Sequence, residues 1–235
     1  MGARMSIQMV AVCAAAGVIV GVIALTGVGA RFSSLLLTIA DQNQYLAMFF
    51  AMCISIILGM GMPTTAAYAV AAAVVAPGLI ALGVPVLVAH FFVFYYAVMS
   101  AITPPVALAA YAGAALSGSD PMKTSVEAFK LGLAAFIVPF MFFGAHELLM
   151  QGEPLDIVHA TATALLGMFL LSAGVIGYYF GHASLLVRLV LVGAALSMIS
   201  VGWITDLIGL ACAVALFLWQ RRVVTAATLT HGKTD

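Results

Sequence analysis

Residues 58–68 read LGMGMPTTAAY, and residues 89–111 read AHFFVFYYAVMSAITPPVALAAY. Each is an apolar run broken by residues that stop helices. Gly59, Met60, Gly61, Met62, Pro63, Thr64 and Thr65 form the first break; Thr103, Pro104 and Pro105 form the second. Proline has no backbone N–H to donate, and Pro105 disfavours helical geometry at Pro104. What such a break means depends on the surrounding solvent. In hydrocarbon an unpaired backbone N–H or C=O costs several kcal/mol, so a break survives only where protein or a water-filled cavity satisfies the freed groups.

Composition identifies that solvent as lipid. Of 235 residues, 65% are hydrophobic and 7% charged, eight cations balance eight anions, and mean hydropathy is +1.23. Soluble domains carry about 25% charged residues. This excludes a soluble enzyme, a disordered chain and a nucleic-acid binder with its clustered Lys and Arg. An integral membrane protein remains. Alternating strands of about ten residues are absent, so the expected fold is all-α: a polytopic transmembrane helical protein with broken helices or re-entrant hairpins. The first apolar run is too long for a signal peptide and lacks a small-residue cleavage site after it. Cys13, Cys53 and Cys212 lie far apart in apolar runs; no CxxC occurs, and buried small hydrophobes are expected.

Working outward, a first span covers 9–28, followed by a more polar stretch, 31–44, expected as an interfacial helix or connector. Apolar runs follow at 45–59, 66–82, 84–102 and 106–116, then spans at 131–149, 158–180 and 185–201, and a last apolar segment, Trp203–Trp219. Ser119-Asp120-Pro121 reads as an N-cap with proline at the first helical position, and Thr124 with Glu127 as a capping box. Pro139 is expected to kink its span. Four regions result: 1–44, a first helix and connector; 45–150, the broken helices; 151–220, C-terminal helices; 221–235, a polar tail. Arg221, Arg222 and Lys233 favour a cytoplasmic C-terminus.

The two breaks carry the functional reading. Freed carbonyls beside the hydroxyls of Thr64, Thr65, Ser100 and Thr103 make an oxygen-rich setting suited to a hard cation. A weak echo links Pro63-Thr64-Thr65-Ala66-Ala67-Tyr68 to the run from Pro104 to Tyr111. Turns between short hairpin helices, or ordinary kinks, would look similar, since Gly and Pro are frequent in membrane helices.

Taken with SGSDPMKT at 117–124, LGMGMPTTAAY and AHFFVFYYAVMSAITPPVALAAY resemble the large membrane subunit of tripartite ATP-independent periplasmic (TRAP) transporters. The likeness is strongest over 58–149 and nearest to the fused permeases that work with TAXI-type binding proteins. It implies half of an inverted-repeat elevator transporter in the bacterial inner membrane. Such a transporter takes up a small organic acid delivered by a periplasmic binding protein, with Na⁺ as coupling ion and no other cofactor. Ion and substrate sites would fall at Gly59, Met60, Gly61, Met62, Pro63, Thr64 and Thr65, and at Ser100, Thr103, Pro104 and Pro105. Fused permeases of this kind are much longer. The chain therefore looks like a C-terminal half, whose partners would include the N-terminal half and small-subunit helices. A truncated permease with only an assembly role is the alternative.

Other polar residues read blandly. Asp41 is expected to cap the first broken helix, Arg188 to snorkel, Asp206 and Arg31 to lie at the interface, and His90 to pack. Lys123, Glu127 and Lys130 read as a solvated face, and Phe91 to Tyr96 as lipid or scaffold packing. His146-Glu147 starts a metalloprotease motif, but position 150 is Met, so the second His is missing. An intramembrane enzyme has no paired carboxylates or phosphate loop to build on.

Overall fold

Long apolar segments in lipid must pair their own backbone groups, and coiling into helices does this within one segment. A computed structural model describes residues 2–40, 43–179, 181, 183–199 and 202–231. Its regular elements are all helical. They are α1 (Gly2–Thr26), α2 (Val28–Ala40), α3 (Gln44–Gly59), α4 (Thr64–Ala81), α5 (Val86–Met99) with a 3-10 turn (Ser100–Ile102), and α6 (Leu108–Ser117). Next come α7 (Pro121–Gly132), a 3-10 segment (Leu133–Ile137), α8 (Val138–Gly144), a second 3-10 segment (His146–Leu149), α9 (Pro154–Ile176), α10 (Leu185–Ile199) and α11 (Trp203–His231). Among the described residues, three helices are long and apolar enough alone to cross a membrane: Thr64–Ala81, Pro121–Gly144 and Pro154–Ile176. The all-α polytopic fold expected from composition is the fold observed. The chain divides into two compact units, 1–129 and 130–235.

In the first unit α4 is central and packs against α1, α2, α3 and α5. Its buried face is built of small residues, among them Ala66, Ala67, Ala71 and Gly78. Small residues let helix backbones approach closely where lipid gives no hydrophobic drive. A Cβ on Gly78 would meet Leu36 Cδ1 of α2 at 2.7 Å. The stretch 31–44, expected as an interfacial helix or connector, is helical as far as Ala40 and seated on α4: Leu36 is fully buried while Arg31 is exposed. α2 leaves α1 at a 65° bend, turned by Gly27 in left-handed geometry (φ 67°). Nothing in the sequence reading singled this bend out.

Caps follow local chemistry. Asn43 accepts from the Leu46 N–H at 3.2 Å and caps α3, the role expected of Asp41. Asp41 and its neighbour Gln42 lie outside the described residues. Asp120 caps α7 by accepting from the Lys123 N–H at 2.8 Å, with Pro121 at the first helical position, as expected. Because Asp120 already holds the cap, the capping box expected at Thr124 does not form. Thr124 sits inside α7 and donates to the Asp120 carbonyl at 2.9 Å.

In the second unit the expected irregularity at Pro139 appears just before it, as the 3-10 segment Leu133–Ile137. A proline has no N–H and its ring crowds the carbonyl four residues back, so the preceding turn tightens. α9, α10 and α11 pack in sequence. Gly174 admits α10, since a Cβ there would meet Val192 Cγ2 at 2.9 Å. Arg188, expected to snorkel, is half-buried. Its Nε donates to the Gly174 carbonyl at 2.9 Å and its Nη2 to the Val175 carbonyl at 2.7 Å, where the carbonyl end of α9 attracts a cation. Cys13, expected buried, is exposed, and Cys53 and Cys212 are half-buried. α11 carries Arg221 and Arg222 within the polar tail, while Lys233 lies outside the described residues.

Candidate functional site

The first break is the tip of a helical hairpin. α3 ends at Gly59, α4 begins at Thr64, and the two helices pack together. Met60 donates its N–H to the Ile57 carbonyl at 3.3 Å and Met62 to the Gly59 carbonyl at 3.4 Å. The helical ladder resumes only with the Ala67 N–H on the Pro63 carbonyl, at 2.9 Å. Gly61 turns the tip with φ 76°, a left-handed geometry that suits glycine. Pro63 precedes α4 and gives it no side-chain cap.

The second break is a corner. The 3-10 turn Ser100–Ile102 ends α5, Thr103 is extended, and a cis Pro104–Pro105 peptide leads to α6. Among the described residues, no backbone hydrogen bond outside the helices lies between Thr103 N–H on the Ser100 carbonyl and Tyr111 N–H on the Ala107 carbonyl. Tyr111 closes the corner by donating its hydroxyl to the Pro105 carbonyl. α6 packs against the 3-10 turn, and its ten residues rise about 15 Å, half of a hydrocarbon core about 30 Å thick.

The structure brings the two breaks together. A Cβ on Gly59 would lie 2.7 Å from Ser100 Oγ and 3.1 Å from the Ala97 carbonyl, so the serine occupies the space that any side chain at 59 would need. A Cβ on Gly61 would meet Val106 Cγ1 at 3.6 Å. The carbonyl ends of α3 and α5 thus converge. Each such end carries roughly half a negative charge.

The other site candidates divide by exposure. Gly59, Ser100 and Thr103 are buried; Met60, Met62 and Pro104 are half-buried; Gly61, Pro63, Thr64, Thr65 and Pro105 are exposed. Ser100 donates to the Ala97 carbonyl at 2.7 Å and Thr103 to the Met99 carbonyl at 2.8 Å. A hydroxyl whose proton is committed to a carbonyl keeps its lone pairs for another partner, a cation included. Both break segments lack any charged residue. Sequence reading missed Ala97, Val106 and Tyr111 as partners in the corner. The tyrosine echo was the one available signal, and the two tyrosines do different work: Tyr68 pairs with His90, hydroxyl to Nδ1, at 2.8 Å.

The aromatic run faces both ways. Phe91 and Phe94 are exposed, while Phe92 and Tyr96 are buried edge-to-face, with centroids 4.8 Å apart. No group of three or more His, Cys, Asp or Glu side chains that could hold a metal occurs among the described residues. Asp206, expected at the interface, is 8% exposed, and its Oδ2 lies 3.3 Å from His159 Nε2.

A family model described as "Tripartite ATP-independent periplasmic transporter, DctM component" matches residues 1–154, which include both breaks. No curated protein and no solved structure matches the chain.

Proposed function

The chain belongs to the DctM-component family of tripartite ATP-independent periplasmic transporters, a family of transporters rather than enzymes, and from that premise we propose that it drives Na⁺-coupled uptake of a small carboxylate. Members of this family work with a substrate-binding protein and other subunits. Here the binding protein is of the TAXI type and periplasmic, the membrane is the bacterial inner membrane, and the chain supplies the C-terminal half of a fused permease.

One observation carries the reading: the carbonyl ends of α3 and α5 meet at Gly59 and Ser100. Two partial negative charges and a buried hydroxyl oxygen at one place favour a small hard cation over any anion. Sodium is held there by backbone carbonyls of 59–62 and 100–104 with the Ser100 and Thr103 oxygens. The opposite helix ends suit the carboxylate. α4 and α6 both start at a break without a side-chain cap, and the positive end of a helix dipole attracts anions. No Arg is needed for that recognition, and the break segments contain none.

The test is uptake into liposomes containing this chain, the N-terminal half and small-subunit helices that the resemblance implies, and the binding protein. Uptake of carboxylate that rises with an inward Na⁺ gradient is the expected result. Uptake indifferent to Na⁺ removes the coupling. An assembly that forms but moves no substrate supports the purely structural role.

A further inference from the structure

The second unit pairs a buried carboxylate, Asp206, with a half-buried imidazole, His159, and the transport reading uses neither. His159 lies in the second turn of α9 and Asp206 in the first turn of α11. Trp203, at the start of α11, stacks on the imidazole with ring centroids 4.2 Å apart and planes 18° from parallel. Among the described residues the second carboxylate oxygen, Asp206 Oδ1, is buried with no hydrogen-bond partner. A cavity of about 10 Å³ adjoins the pair, lined also by Thr163, Ala164, Met198 and Ile199. That is roughly the space one water needs.

A buried carboxylate oxygen without a donor is costly, and an unpaired buried charge more so. The imidazole satisfies only Oδ2. Without a further proton, the pair is one uncompensated anion at the start of a span. With it, the pair is neutral overall, and an imidazolium lies against the face of an indole, an attractive arrangement.

We propose that His159 and Asp206 form a proton-binding site, and that the proton they hold fastens the start of α11 to α9. Among the described residues they are the only ionisable ones lining the cavity. The elements packed against the pair carry other ionisable groups: Glu153 and Asp156 at the start of α9, His146 and Glu147 in the 3-10 segment beside it, and Arg188 on α10. Arg188 is committed to the carbonyls of Gly174 and Val175. The site is independent of the transport reading, because the family match ends at residue 154, before both residues.

Trp203 reports on the proton directly, because an imidazolium stacked on an indole quenches its emission far more than a neutral imidazole does. The chain has two tryptophans, so Trp219→Phe leaves Trp203 alone. Emission of this full-length variant in detergent is followed from about pH 4 to about pH 9, a range bracketing the reference carboxyl and imidazole values. The expected result is a one-proton drop on acidification, abolished by His159→Gln and displaced in midpoint by Asp206→Asn. Flat emission in the Trp219→Phe chain overturns the site whether or not the further variants fold. So does a transition that survives His159→Gln, or one whose midpoint ignores Asp206→Asn.

Discussion

At the hairpin tip between α3 and α4, Gly61, Pro63, Thr64 and Thr65 are exposed; at the corner after α5, Ser100 and Thr103 are buried with their protons committed to Ala97 and Met99. The tip hangs from two packed helices and is turned by one left-handed glycine. The corner is fixed at both ends, by the Thr103 N–H on the Ser100 carbonyl and by Tyr111 on the Pro105 carbonyl. If a sodium ion binds here as proposed, it has to be held and also released, and the two regions would divide these tasks: the corner would supply oxygens whose positions are set in advance, and the tip oxygens that can be presented or withdrawn. At Gly59 the two meet so closely that the Ser100 hydroxyl fills the space a side chain would need.

The sharpest way to break this comparison is to force the breaks apart. Gly59→Val places branched carbon where Ser100 Oγ now sits, and overpacking of this kind costs about 1–3 kcal/mol. Na⁺-driven uptake is expected to disappear while the chain still inserts, and thermal unfolding in detergent should occur at lower temperature. Adding Ser100→Gly to the milder Gly59→Ala should recover part of the lost stability, since the two residues compete for one space. No recovery would mean that the contact does not matter.

Gly61→Val tests the tip alone. A non-glycine residue in left-handed geometry costs about 1–2 kcal/mol, so if the tip must adopt that turn to bind sodium, apparent Na⁺ affinity should fall about tenfold. Thr103→Val tests the corner. It removes a buried hydroxyl that serves the Met99 carbonyl, a loss of about 1 kcal/mol in stability, with a fall in Na⁺ affinity of about fivefold. Thr65→Val separates the two regions: being exposed, Thr65 should change stability by less than about 0.5 kcal/mol, yet still weaken Na⁺ dependence if the tip presents its hydroxyl to the ion. Unchanged Na⁺ affinity in Gly61→Val and Thr65→Val together would leave the corner as the whole site.

The positions of the breaks were legible because proline and glycine act through local sterics, which sequence records directly. α3 stops at Gly59, and α4 starts immediately after Pro63. What sequence does not record is direction. Nothing in MSAITPPVALAAY says that Ser100 will fit against Gly59, since that contact depends on how α3 and α5 cross. The same limit applies elsewhere. Asp206 and His159 are 47 positions apart, and only the packing of α9 and α11 pairs them. The acceptors of Arg188, the last carbonyls of α9, likewise come from another helix.

The bend at Gly27 completes the comparison as a break of a third kind. It has the left-handed glycine of the tip and a 65° change of direction, but no proline in the turn. Its two polar neighbours are already satisfied within their own helices: Thr26 donates to the Val22 carbonyl at 2.7 Å, and Ser33 to the Gly29 carbonyl at 3.0 Å. A Cβ on Gly27 would meet nothing within 4 Å, so Gly27→Ala changes backbone preference without any collision. Left-handed alanine should lower stability by about 1–2 kcal/mol, visible in thermal unfolding. Na⁺ dependence of uptake should remain as in the unaltered protein. If it moves as far as in Gly61→Val, then a glycine bend alone, with neither converging carbonyl ends nor a buried hydroxyl, is enough to disturb the ion, and the special role given to Gly59 and Ser100 falls.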